Sequence, residues 1–249
     1  MRLFFLSLST AFFLSGPILA QEARILSATS EPTDIRIKKP ERKPEPTTAE
    51  TVRPESKPET PKTLTFVENF ATNRLGWREG DLGDYSYDLA GGKYRIRKRF
   101  PKSVQSAYTM IMLPPSFDLN KAESFTIQVD VSSDPGIVPT AGLMFGAKNS
   151  QNAYFFLYNE KGEASVRRVL DGRVSPTFMS GKFLPSGVPV NTGNNTIKIR
   201  KSQNKLYFYI NDKEIVSGSY PFQPFPGNGV GLASYAPWAV FQNLRVEVN

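Results

Sequence analysis

The sequence predicts an all-β fold, a two-sheet sandwich or a closed barrel, on three observations. Beyond Thr63, short runs alternate in polarity with period two. Gly, Pro, Asn and Asp punctuate these runs at strand-length intervals, as in Ala90-Gly91-Gly92, Asn159-Glu160-Lys161-Gly162 and Asp171-Gly172. No window of helical length keeps an apolar stripe at i, i+3 and i+4.

Two segments precede that region. Arg2, the apolar stretch Leu3 to Leu14, the break at Gly16-Pro17 and then Ile18-Leu19-Ala20 have the layout of a secretory leader, residues 1–20, with cleavage expected after Ala20. The expected location is exported, periplasmic or extracellular, with no stable membrane span once the leader is gone. Residues 21–63 are rich in Pro, Glu, Lys and Thr, as in KPERKPEP (Lys39 to Pro46). Such a segment cannot bury enough apolar surface to offset its ordering entropy, so a disordered linker with polyproline II character is predicted. Its nine basic and eight acidic residues nearly cancel, which makes it a spacer more than a basic tail. Fully extended, it reaches on the order of 130 Å at about 3.1 Å per residue.

Residues 64–249 are the predicted β domain. Strands are expected at Thr65–Phe70, Tyr85–Ala90, Lys93–Arg99, Ser106–Leu113, Ser124–Ser132, Thr140–Ala147, Asn152–Asn159, Ala164–Asp171, the hairpin Asn195–Ile215, Gly229–Ala236 and Phe241–Val248. In SFTIQVDVS, Phe125, Ile127, Val129 and Val131 alternate with Thr126, Gln128, Asp130 and Ser132, the pattern of a sheet with one covered side. NAYFFLYN differs. Phe155 and Leu157 face one way, Tyr154, Phe156 and Tyr158 the other, so both of its faces must meet something.

Composition removes several chemistries. The 249 residues contain neither Cys nor His, which excludes disulfides, zinc fingers, His-based triads and thiol nucleophiles. No cofactor is implied. The formal net charge is +8, and residues 64–249 hold 21 Lys and Arg against 15 Asp and Glu. The excess concentrates in RIRKRFPK (Arg95 to Lys102), in Arg167-Arg168 with Arg173, and in KIRK (Lys198 to Lys201). An anionic envelope polymer suits such a surface, whereas nucleic acid fits poorly with export. Asp81, Asp84 and Asp88 lie together and admit a calcium reading, but such clusters more often serve turns.

The order of motifs resembles a known superfamily. FVENF with Trp77, GGKYRI, GLMFGAKNSQNAYFFLYNEKGEASVRRVLDG, NTIKIRKSQNKLYFYINDKEI and GVGLASYAPWAVFQNLRVEV are similar to concanavalin A-like lectin/glucanase jelly rolls, laminin-G-like and 3-keto-disaccharide hydrolase-type domains among them. The resemblance covers about Thr65 to Asn249. It implies a sandwich of two antiparallel sheets with a carbohydrate site on one face. The glucanase branch carries Glu-x-Asp-x-x-Glu on one strand, whereas QVDVSSD aligns Gln128, Asp130 and Ser132 on its shared face. One carboxylate stands where a pair is needed.

The functional expectation is therefore an exported, non-catalytic lectin-like module that binds carbohydrate or another envelope ligand. A hydrolase of the same fold and a structural or protein-interaction module are the alternatives. Tyr154, Tyr158, Trp238, Gln128, Asp130 and Arg168 are the candidate ligand-binding residues, with Trp238 expected in a loop after Pro237, and no catalytic or metal-binding residue is assigned. In the hairpin, a four-residue loop at Lys201–Asn204 sets Ile199 opposite Leu206 and Lys198 opposite Tyr207. A second turn at Asn211-Asp212 sets Phe208 opposite Ile215.

Overall fold

The alternating runs become strands in the structure, a computed structural model that describes residues 62–133 and 136–249. In chain order the strands are β1 (Leu64–Glu68), β2 (Gly80–Leu82), β3 (Tyr85–Ala90), β4 (Lys93–Lys98), β5 (Ala107–Met112), β6 (Ser124–Ser132), β7 (Ala141–Asn149), β8 (Asn152–Tyr158) and β9 (Glu163–Leu170). They continue as β10 (Arg173–Val174), β11 (Leu184–Pro185), β12 (Asn195–Ser202), β13 (Lys205–Ile210), β14 (Lys213–Glu214), β15 (Tyr220–Pro221), β16 (Gly229–Ser234) and β17 (Trp238–Val248). The leader and, but for its last two residues, the linker lie outside the described residues. No helix among the described residues is long and apolar enough to cross a membrane.

Two antiparallel sheets form a sandwich. The ten-stranded sheet runs β14-β13-β12-β6-β17-β4-β3-β2, with β1 added beside β17 and β15 beside β13. The seven-stranded sheet runs β10-β9-β8-β7-β16-β5, with β11 beside β9. Their inner faces share one apolar core. Ile127, Val129, Ile197, Ile199, Phe208 and Phe241 come from the first sheet; Leu143, Phe145, Phe156, Val166, Val230 and Leu232 come from the second. Phe156 and Phe208 meet across the layers at 5.0 Å between ring centroids. Each such fully buried side chain stabilises the fold by about 1.5–3 kcal/mol.

The two rows of β8 separate as the sequence predicts, but the row that carries the candidate tyrosines is the inner one. Tyr154 and Tyr158 point into the core beside Phe156, both with no exposed surface, while Phe155 and Leu157 belong to a second cluster on the outer face. A tyrosine can occupy a core when its hydroxyl reaches a polar partner. Tyr154 Oη donates to the Gln223 carbonyl at 2.9 Å and accepts from the Gln223 amide at 3.0 Å; Tyr158 Oη donates to the Val131 carbonyl at 3.4 Å.

The Asn195–Ile215 hairpin shifts by two residues from the expected register. Its first turn holds only Gln203 and Asn204, so Ile199 pairs with Phe208, Lys201 with Leu206, and Lys198 with Tyr209 instead of Tyr207. Because the shift is even, Ile197, Ile199, Leu206 and Phe208 still face the core. The second turn is as expected, with Phe208 accepting from the Ile215 amide at 3.0 Å.

The first loop is pinned by a buried acid. Glu68 is 1% exposed; one carboxylate oxygen accepts from the Phe70 amide at 2.7 Å and the other from Trp77 Nε1 at 3.2 Å. Trp77 packs edge-on against Phe70 at 5.4 Å and seals that end of the core.

Candidate functional site

The two outer faces differ in chemistry, and the outer face of the seven-stranded sheet offers the candidate site. On the ten-stranded sheet the outward row is polar: Thr126, Gln128 and Asp130 on β6, Thr196, Lys198 and Arg200 on β12, and Tyr207 and Tyr209 on β13. Its charges are largely paired, Arg95 with Asp88 at 3.1 Å, Arg245 with Glu247, and Lys198 with Asp212.

The outer face of the seven-stranded sheet is an apolar bed with a half-exposed aromatic and cationic layer above it. The bed consists of Met144, Ala147, Ala153, Phe155, Leu157, Val169 and Ala233. Small outward residues keep its centre low. Gly142 on β7 and Gly231 on β16 leave no room for a Cβ, which would lie 1.9 Å from the Phe156 carbonyl oxygen and 2.2 Å from that of Thr109, respectively. Over the bed lie Tyr108, Met110, Phe183 and Tyr235, each partly buried.

Tyr108 and Tyr235 bracket the layer and Arg167 ties it together. The Tyr108 ring packs edge-on against Phe155 at 5.5 Å, and its hydroxyl is 3.3 Å from that of Tyr235. Arg167 donates from Nε to Ser165 Oγ at 3.0 Å and from one terminal nitrogen to Tyr235 Oη at 3.2 Å. Its guanidinium carbon stands 5.4 Å from the Phe183 ring centre and 5.3 Å from that of Tyr235. Burial, and then the neighbouring Tyr108, push the Tyr235 phenol well above the usual tyrosine range, so it stays neutral at physiological pH.

Two hollows flank Tyr108. One, of about 310 Å³, is lined by Phe155, Arg167, Val169 and Tyr235; the other, of about 580 Å³, is lined by Arg78, Glu79, Met110, Met144, Lys148 and Asn149. Both reach Tyr108 and Ser150, so they adjoin there and offer one candidate groove along the sheet. Among the described residues that line it, Glu79 is the only carboxylate, and it accepts a hydrogen bond from Asn73 Nδ2 at 2.5 Å.

The residues expected from the sequence do not converge on this groove. Tyr154 and Tyr158 are in the core. Arg168 points to the same inner side and stacks its guanidinium on Phe225 at 4.7 Å, with Nε buried and unpartnered. Gln128 and Asp130 lie on the outer face of the opposite sheet. Asp130 is engaged there, accepting from Thr196 Oγ1 at 2.6 Å and from Asn243 Nδ2 at 2.8 Å. Trp238 opens β17 instead of occupying a loop, with Arg97 stacked on its ring at 5.1 Å. The three clustered aspartates separate as well, Asp81 to Arg99, Asp84 to Ser103 Oγ and Asp88 to Arg95. Tyr108, Arg167 and Tyr235, which line the groove, are not among the expected residues; the parity of SAYTMIML, which sets Tyr108 and Met110 opposite Ala107, Thr109 and Ile111, carried a signal for the first.

Comparison with solved structures gives partial likenesses. The chain is similar to the carbohydrate-binding module CBM66 from Bacillus subtilis, 19% identical over 70% of this chain and 96% of that one, with a TM-score of 0.47. It is similar to a Bacillus subtilis protein of unknown function with a galectin-like fold, 14% identical over 74% of this chain and 96% of that one, TM-score 0.46. Sheep galectin-11 is 12% identical over 57% of this chain and 97% of its own, with a TM-score of 0.38. No protein-family model and no curated protein matches the sequence.

Proposed function

We propose that residues 64–249 are a concanavalin A-like, non-catalytic carbohydrate-binding module, exported by the leader at residues 1–20 and carried on the linker at residues 21–63. Its ligand lies along the groove of the seven-stranded sheet. The observation that carries this reading is the half-exposed pair of Tyr108 and Tyr235 above an apolar bed, with Arg167 hydrogen-bonded between ring and strand. Sugars offer an apolar C–H face and a rim of hydroxyls, and this layer matches both: rings for stacking, and phenol, guanidinium and the Asn149-Ser150-Gln151 turn for hydrogen bonds. Glycoside hydrolysis needs two carboxylates flanking one bond, and Glu79 alone in the groove supports binding without turnover.

The test is retention of the full chain on a panel of insoluble polysaccharides. Tyr108→Ala and Tyr235→Ala should lower affinity at least tenfold while Tyr235→Phe retains much of it, and Gln128→Ala, on the other sheet, should bind as the parent does. Retention that Gln128→Ala abolishes and the tyrosine variants leave intact would overturn the assignment, as would release of reducing sugar.

A further inference from the structure

Basic residues occur over the whole domain, but their pairing is uneven. On the ten-stranded sheet Arg95, Lys198 and Arg245 each meet a carboxylate and Arg97 is stacked on Trp238, while Arg200 has no carboxylate partner among the described residues. In the groove Arg78, Lys148 and Arg167 have no carboxylate partner among the described residues. The single acid there, Glu79, is bonded to Asn73. The groove thus holds three cations against one acid, which leaves it electropositive where a ligand would sit.

Arg167 is built to receive an anion. Two of its nitrogens are used by Ser165 and Tyr235, which fixes the guanidinium plane between the Phe183 and Tyr235 rings. Its second terminal nitrogen has no acceptor among the described residues and, unlike Arg168 Nε, is not sealed from solvent. A half-buried, immobilised guanidinium loses little side-chain entropy on binding, and its planar fork matches a carboxylate or sulfate better than a hydroxyl. Arg78 is tethered beside Tyr108, donating to its carbonyl at 3.1 Å, and Lys148, exposed, lines the same hollow.

We propose that the groove selects anionic saccharides, whose carboxylate or sulfate pairs with Arg167 while Arg78 and Lys148 flank the neighbouring units. The inference rests on the carbohydrate-binding reading and adds the ligand's chemical class.

Binding of the full chain is measured by affinity electrophoresis against polygalacturonate and its carboxyl-reduced neutral counterpart, and against heparin and its desulfated counterpart. At least one of polygalacturonate and heparin should bind tenfold or more tightly than the partner that lacks its carboxylates or its sulfates, and added salt should erase the difference. Arg167→Gln should remove most of that preference, and Arg167→Lys, which keeps the charge but not the fork, should restore only part of it. The exposed changes Arg78→Gln and Lys148→Gln, which need no repacking, should each reduce it. Preference for polygalacturonate identifies the carboxylate as the recognised group, and preference for heparin identifies the sulfate. Equal affinity within both polymer pairs would overturn this proposal and leave the carbohydrate reading standing. No retention of any of the four polymers would overturn this proposal, and the polysaccharide panel would then decide the carbohydrate reading by itself. A preference that survives Arg167→Gln, Arg78→Gln and Lys148→Gln but falls with Arg97→Gln or Arg200→Gln would move the anion site to the other sheet and refute the proposal.

Discussion

The hydroxyls of Tyr108 and Tyr235 meet at 3.3 Å over the seven-stranded sheet, joining strand β5 to the end of β16. The Tyr235 phenol has company. Burial also raises Tyr94, Tyr154 and Tyr158 above the usual tyrosine range and pushes Tyr85 up to about 12. A raised phenol pKa means that the fold holds its proton more tightly than the unfolded chain does. The associated stability is complete below the unfolded pKa of about 10 and is lost as pH rises towards the folded value. Urea midpoints should therefore vary little, on account of these groups, from pH 7 to about 9 and then fall steeply. Tyrosinate absorbance from these buried rings should appear together with unfolding and not before it. A native chain whose ten tyrosines all ionise near pH 10 would sink this expectation.

Glu68 should be among the most sensitive polar positions. It satisfies two buried donors, the Phe70 amide and Trp77 Nε1, and the first of these holds Phe70 at a φ of 55°, a left-handed conformation unfavourable for a bulky side chain. Glu68→Ala leaves both donors unpaired, and at about 1–3 kcal/mol for each the loss should be about 2–6 kcal/mol. Glu68→Gln keeps one acceptor and should lose less than half as much. Urea unfolding followed by tryptophan emission measures both. An alanine variant within about 0.5 kcal/mol of the parent would show that water replaces the carboxylate.

The strands were legible because one-sided burial writes period two into the sequence. Ser124–Ser132 and Tyr85–Ala90 are found at the expected bounds, and the other long strands differ only by a few residues at their ends. The faces of β8 were not legible. With apolar side chains in both rows, parity separates the rows without saying which is inside, and the tyrosines of one row were assigned to a ligand. What decides is tertiary: Gln223 and Val131 offer those hydroxyls backbone partners at the core's margins. The groove was hidden for the same reason. Tyr108, Arg167 and Tyr235 come from separate strands or strand ends, and only the order β9-β8-β7-β16-β5 brings them to one surface.

Asp130 should behave as a clamp. It bridges Thr196 on β12 to Asn243, which has a φ of 52° where the β17 pairing with β6 slips between Gln242 and Arg245. Hydrogen bonds to a charged group contribute about 1.5–3 kcal/mol when shielded and less at a half-exposed site such as this one. Asp130→Ala should lower stability by about 1–2 kcal/mol and leave polysaccharide retention unchanged. Lost retention in a folded variant would return the ten-stranded sheet to contention as the binding face.

The turn at Asn211-Asp212 poses two opposed effects of similar size. Both residues are left-handed, at φ of 50° and 61°. For an ordinary L-residue that conformation costs about 1–2 kcal/mol, and less for Asn and Asp. Asp212 also accepts from Lys198 Nζ, but its side chain is 75% exposed, and such surface pairs contribute about 0–1 kcal/mol. Asn211 has stronger ties, because its side-chain oxygen accepts from the Thr196 amide at 3.0 Å and its amide group donates to Asn195 Oδ1 at 3.0 Å. Glycine at 212 removes the strain and loses only the weak pair, so Asp212→Gly should stabilise the domain by a few tenths of a kcal/mol, more at high salt where the parent's pair is screened. Asn211→Gly removes the strain but also both hydrogen bonds, and should destabilise by about 1 kcal/mol. Opposite signs at adjacent positions, read from urea midpoints at low and high salt, would show that strain governs one residue and hydrogen bonding the other. Destabilisation by both would mean that the Lys198–Asp212 pair outweighs the strain.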